Sequence, residues 1–131
     1  ALQLSGGVGV HRSVAPSDVP GLVGVADFAL AFREPSFSQQ AVSPVKVGEY
    51  LLAGVPVVTN PGVGDLDEML DERVSVMTGL TEDEVERAAC RAQQSVFSAE
   101  EIRAHGLAHF SLSTAVSGYQ RALDLARARK P

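Results

Sequence analysis

Residues 43–60 read SPVKVGEYLLAGVPVVTN. The two ends of a helix are written in this stretch, with Ser43 at the N-cap, Pro44 at the first helical position, where its missing N–H removes nothing, and Gly54 just past the end. The spacing predicts a helix over 44–53. The apolar, β-branched VPVVTN that follows, 55–60, suits a buried strand. Between Glu34 and Asp65 the only ionisable side chains apart from Tyr50 are Lys46 and Glu49. Burying part of either charge costs free energy unless a partner answers it, so each needs one.

Upstream, ADFALAF at 26–32 is a compact apolar run of strand length, which predicts a buried strand. The polar, serine-rich loop REPSFSQQAV follows it. Residues 8–14, VGVHRSV, alternate and are rich in valine, which predicts a further short strand, and Pro16-Ser17-Asp18 offers turn and N-cap chemistry for a helix over 18–26 that Gly21 and Gly24 weaken. Downstream, PGVGD is a loop whose glycines permit unusual backbone angles. A short acidic helix over 65–71, a strand over 74–77 and three helical segments complete the chain. Thr81 with Glu84, and Ser98 with Glu101, have the spacing of capping boxes. Strand, helix, strand, helix, strand, helices is the order of an α/β fold: a Rossmann-like parallel sheet flanked by helices, doubly wound, with a helical C-terminal end.

With 131 residues, 45% of them hydrophobic, the chain has the size of one domain, 1–131, with a real core. A net charge of -5 and the lack of a basic stripe argue against a nucleic-acid partner. The basic end at Arg127, Arg129 and Lys130 is expected to be a solvated helix terminus. A lone Cys90 excludes an intrachain disulfide framework, and the expectation is a cytoplasmic protein. No apolar run reaches about 18 residues, so no spanning helix is encoded. The absence of an initiator methionine hints at an excised piece of a longer protein.

In open parallel sheets, ligands bind beyond the carboxyl ends of the strands, where loops lead into helix N-termini. The helix beginning near Pro44 offers free N–H groups at Val45 and Lys46, the Ser43 hydroxyl beside them, and a partial positive charge suited to phosphate. Lys46 adds a cation for a diphosphate. One turn further along, Glu49 can accept two hydroxyl hydrogen bonds, as a ribose diol offers. Spacing alone leaves a second reading open, in which Lys46 and Glu49 simply pair with each other on the surface at i,i+3. Neither a GxGxxG nor a GxxxxGK[ST] motif occurs.

The segment FREPSFSQQAVSPVKVGEYLLAGVPVVTNPGVGD resembles the donor-binding segment of group 1 glycosyltransferases of GT-B architecture, whose frequent form is a serine-proline-threonine-lysine run followed by EYLAxGxPVV. VPGLVGVADFALAF before it and HFSLSTAVSGYQRAL near the end are also similar to that family, the latter less specifically. The resemblance implies the second half of a C-terminal donor-binding domain, a partial GT-B domain that binds a nucleoside-diphosphate sugar and needs no metal. The missing N-terminal acceptor domain of the same protein would complete the enzyme, which would be peripheral to the membrane or free in the cytoplasm.

By that resemblance Glu49 binds the ribose hydroxyls, and Ser43, Val45 and Lys46 lie against the diphosphate. The loop carrying Ser36, Phe37 and Ser38 sits near the donor, and Gly62 and Gly64 help close the crevice. Two positions depart from the family: Ala41 stands where many members carry a glutamate that contacts the donor sugar, and Val45 stands where threonine is frequent. The catalytic residues are not assigned, and the fragment alone is expected to be inactive. Two other readings remain, a nucleotide-sugar epimerase of the same architecture and a non-catalytic interaction module that pairs with its own copy through surface left open by truncation.

His105 and His109 have the i,i+4 spacing of two metal ligands, but no Cys, Asp or Glu motif completes a site, so surface histidines are expected. His11 is expected to be packed or to face solvent, the acidic residues from Asp65 to Glu72 to complement a helix dipole, and Cys90 to be inert core.

Overall fold

A computed structural model describes residues 9–11 and 13–129. Three strands, β1 (Ala29–Ala31), β2 (Val57–Thr59) and β3 (Ser75–Met77), form a parallel sheet in the order β1-β2-β3. Ala29, Val57 and Ser75 are in register, as are Ala31, Thr59 and Met77. The helices are α1 (Val19–Val23), α2 (Val45–Leu52), α3 (Leu66–Met69), α4 (Glu82–Gln94), α5 (Ala99–Phe110) and α6 (Leu112–Ala128). This is the α/β architecture with a helix-flanked parallel sheet that the element order predicts.

Alternation along β2 explains the layering. Val57 is fully buried on the face that meets α2 and α5, in a core with Val47, Leu51, Val63, Leu66 and Ile102. Val58 points the other way and packs with Val76, Ala88 and Ala92, the last two from α4. A strand covered on both faces needs apolar residues at successive positions, which VPVV supplies.

In α2 the helical period buries Val47, Gly48 and Leu51 and leaves Val45, Lys46 and Glu49 exposed. The two charges of the apolar segment therefore stay in water, and no desolvation has to be offset. At its end Gly54 takes φ +80, with its N–H donating to Leu51 O at 2.9 Å and the Val55 N–H to Tyr50 O at 3.0 Å, the paired bonds of a left-handed glycine cap. Arg103 of α5 adds its Nε–H to Leu52 O and its Nη2–H to Ala53 O, both at 3.3 Å.

The start of α2 differs from expectation. Pro44 occupies the N-cap with φ -78 and ψ 91, and no side chain caps the helix. Pro44 is buried while Ser43 is exposed, so packing of the proline ring, rather than a serine hydroxyl, sets the boundary.

Helices α2 and α5 meet at two glycines. A Cβ on Gly106 would lie 2.9 Å from both Leu51 C and Leu52 N, and one on Gly48 would lie 2.7 Å from the Phe110 ring. This contact brings the α5 backbone against that of α2 and drives Ile102, fully buried, into the core.

Other expectations shift. The strand expected to be buried over 26–32 is the edge strand β1, in which Ala29 is buried but Leu30 is 65% exposed, because among the described residues one of its faces is left uncovered there. Of residues 8–14, those described form no strand, and Val8 and Arg12 lie outside the described residues. The helix expected over 18–26 is a 3-10 turn at Pro16–Asp18 running into the five-residue α1, and the serine-rich loop contains a 3-10 turn at Phe37–Ala41. Cys90 is exposed rather than core. The Glu84 carboxylate accepts from the Thr81 N–H at 3.1 Å and from its hydroxyl at 2.6 Å, while at Ser98 the hydroxyl accepts the Glu101 N–H at 3.3 Å. No residue of α6 is buried, and its Leu112, Val116, Tyr119 and Leu123 form an exposed apolar stripe. Among the described residues no helix is long and apolar enough to cross a membrane.

Candidate functional site

At the carboxyl ends of β1 and β2, two buried polar side chains reinforce the pairing of the strands and of the loops that leave them. The Thr59 hydroxyl donates to Ala31 O at 2.8 Å. Asn60, 1% exposed, accepts the Arg33 main-chain N–H on Oδ1 at 2.8 Å and donates from Nδ2 to Pro61 O at 3.0 Å. Both are satisfied, as buried polar groups must be. Their effect is to fix the start of the loop that leaves β1.

The loop after β2 is tied to the loop after β1 through Gly64. Gly64, at φ +55, donates its N–H to Gln39 O at 2.8 Å, and a Cβ there would collide with Val42 O. Gly62, at φ +81, donates to both carboxylate oxygens of Asp67, at 3.0 and 3.2 Å. Both amides are thus engaged within the protein. Gly62 and Gly64 shape the loop and carry buried Val63 to the wall of a cleft.

That cleft holds about 560 Å3 and lies between the ends of β1 and the first turn of α2. A volume of this order suits a small organic ligand. Its walls include Phe32, Pro35, Tyr50 and Val63, and its charged groups are Arg33, Glu34 and Lys46. Among the described residues these three side chains make no ion pair. The N–H groups of Val45 and Lys46, at the first two positions of α2, have no acceptor among the described residues, which is the ordinary condition of a helix start and an attractive one for an anion. Gln39 Oε1, also in the cleft, is buried and unpartnered.

Of the residues singled out in the sequence, Ser36 and Lys46 line this cleft together. Ser43, Val45, Phe37 and Ser38 are exposed and do not line it, though the Ser38 hydroxyl lies 3.0 Å from that of Ser36. Glu49 does not share the cleft. It lines a second groove of about 570 Å3, with Pro16, Val19, Pro20, Leu52 and Arg103, on the other side of α2. Lys46 and Glu49 make no ion pair with each other, so the surface-pair alternative is not what the structure contains. Ala41, at the end of the 3-10 turn, is exposed.

Arg33, Glu34 and Tyr50 are cleft residues that the sequence alone does not single out, and neither does it single out Asn60, which holds the Arg33 backbone without lining the cleft. Tyr50 carries a signal, being one helical turn after Lys46. Asn60 carries none, because a polar residue after a strand reads as an ordinary turn.

Elsewhere, His105 Nε2 lies 2.6 Å from Met69 O and donates to it, and the His109 ring sits 4.6 Å away, centroid to centroid. That nitrogen holds α5 to the end of α3. Among the described residues no group of three His, Cys, Asp or Glu side chains could hold a metal ion. His11 is exposed. The Arg73 guanidinium, hydrogen-bonded to Asp71 at 2.6 Å, keeps that carboxyl below its ordinary range, and the bond from the Thr81 hydroxyl does the same for Glu84.

In comparisons with known proteins, the chain matches no family model, no curated protein and no solved structure.

Proposed function

We propose that the chain is the donor-binding part of a glycosyltransferase of group 1, a partial Rossmann-like GT-B domain that holds a nucleoside-diphosphate sugar for transfer to an acceptor hydroxyl with retained configuration. The observation that carries this reading is the position of Lys46, which lines a cleft at the carboxyl ends of parallel strands beside the free amides of α2. This is where the general geometry of open α/β sheets puts an anionic ligand. The motif resemblance of residues 32–65 supports it independently.

In this reading the diphosphate lies in the cleft against Lys46 and the first turn of α2. The nucleoside then crosses the exposed face of α2, on which residues three apart are about 5–6 Å from each other, so that Glu49 accepts the ribose hydroxyls from the far side. Ser36, Phe37, Ser38 and Ser43 border the path. As the bond from sugar to diphosphate breaks, negative charge grows on the leaving oxygen, and fixed donors aimed at it lower the barrier. The Lys46 ammonium and the Val45 and Lys46 amides are such donors. An acceptor domain elsewhere in a longer protein would complete the site.

The test is a titration of the chain with uridine and guanosine diphosphates, followed by amide chemical shifts and by calorimetry. Binding that perturbs the amides of residues 43–49, and that weakens at least severalfold in both Lys46→Ala and Glu49→Ala, is expected. A chain that binds neither nucleotide, or variants that bind as the parent does, would overturn the reading.

A further inference from the structure

Glu34 is the one carboxylate among the described residues lining the cleft that also holds Arg33 and Lys46. A carboxylate beside a phosphate site is unfavourable by itself, because like charges at close range repel. Its presence makes chemical sense if it faces the uncharged, hydroxyl-bearing part of the same ligand. An ionised carboxylate is acceptor-only and takes two hydroxyl hydrogen bonds readily, which suits the vicinal hydroxyls of a sugar.

The backbone at Glu34 is held on both sides. Before it, the Arg33 N–H is pinned to Asn60 at 2.8 Å, and Asn60 is itself locked to Pro61. After it, Pro35 restricts residue 34 to extended conformations, since the proline ring clashes with a helical predecessor. The Glu34 side chain itself makes no ion pair among the described residues, so its acceptor capacity is open. A fixed backbone carrying an unspent carboxylate is the arrangement that specificity toward hydroxyls requires.

We propose that Glu34 is a sugar-reading residue of the cleft, accepting hydroxyls of the sugar while Lys46 meets the phosphates. The proposal rests on the donor-binding reading above and names within it the residue that separates a sugar-bearing nucleotide from the bare one. Its signature is opposed signs. Removing the charge relieves repulsion toward a diphosphate and removes acceptors for a sugar, whereas a merely structural residue would move both affinities the same way.

The experiment measures the dissociation constants of uridine diphosphate, UDP-glucose, guanosine diphosphate and GDP-mannose by calorimetry, for the chain and for Glu34→Gln and Glu34→Ala. Expected is unchanged or tighter binding of the bare diphosphate, together with about tenfold weaker binding of its sugar conjugate, the scale of one lost charge-assisted hydrogen bond. Equal changes for diphosphate and conjugate, or no change for either, overturn the role of Glu34 and leave the donor-binding reading standing. Binding of none of the four by the parent chain overturns both. Thermal unfolding of each variant checks that it is folded.

Discussion

Asn60 grips Arg33 across two loops, its side-chain Oδ1 accepting the Arg33 main-chain N–H at 2.8 Å from residues 27 apart in sequence. The bond is made by a side chain that is itself buried, so losing it leaves a donor without an acceptor in a part-buried place. Asn60→Ala is expected to destabilise the fold by about 1–3 kcal/mol in urea unfolding, the cost of such an orphaned group. A loss within error would mean that water replaces the asparagine.

The glycine contacts of α2 and α5 give a paired prediction. In Gly106→Ala the new methyl would meet the backbone at Leu51 and Leu52, which cannot move aside cheaply, so a loss of thermal midpoint is expected. Gly118, in the middle of α6, has open space within 4 Å of where a methyl would stand, and Gly118→Ala is expected to stabilise by roughly 0.5–1 kcal/mol through helix propensity alone. Opposite signs from one substitution type would separate packing from propensity.

Gly64→Ala combines a left-handed backbone with a collision against Val42 O. The loop after β2 would have to leave the loop after β1, withdrawing Val63 from the cleft. Expected are a lower thermal midpoint and, under the proposed function, weakened nucleotide binding. Gly62→Ala meets no neighbouring atom and bears only the left-handed strain, about 1–2 kcal/mol per residue, so its loss should be the smaller of the two.

Acid stability follows from Asp71 and Glu84. Both carboxyls titrate lower when folded than when unfolded, Asp71 through the side-chain bond from Arg73 and Glu84 through that from Thr81. Their stabilisation is therefore complete above the unfolded values, about 4, and is lost as pH falls through the folded ones. Thermal midpoints should fall below about pH 4, and the double variant Asp71→Asn with Glu84→Gln should show a shallower fall over that range. Because both side chains are only half-buried and solvent screens them, the difference is expected to be modest.

Much of this architecture is legible in short words of sequence. VPVV announces a strand buried on both sides because no residue in it tolerates water well, and the pair of Leu52 and Gly54 announces the end of α2 because only glycine takes its φ of +80 cheaply. What escapes a linear reading is whatever depends on distant partners. Ser43 has the chemistry of an N-cap, yet burial of the neighbouring Pro44 decides the start of α2. Lys46 and Glu49 sit at a spacing that reads as one face, but the cleft and the groove on either side of α2 divide them. Arg33 and Glu34 look like ordinary loop polarity until Asn60 is seen to fix them at a cleft wall.

The exposed character of α6 has a kinetic meaning. A helix that shares no buried residue with the body can unwind at the cost of its own hydrogen bonds, without disturbing the sheet. Its amides should therefore exchange with deuterated water by local fraying, orders of magnitude faster than those of β2, whose Val57 and Val58 are released only when the whole domain opens.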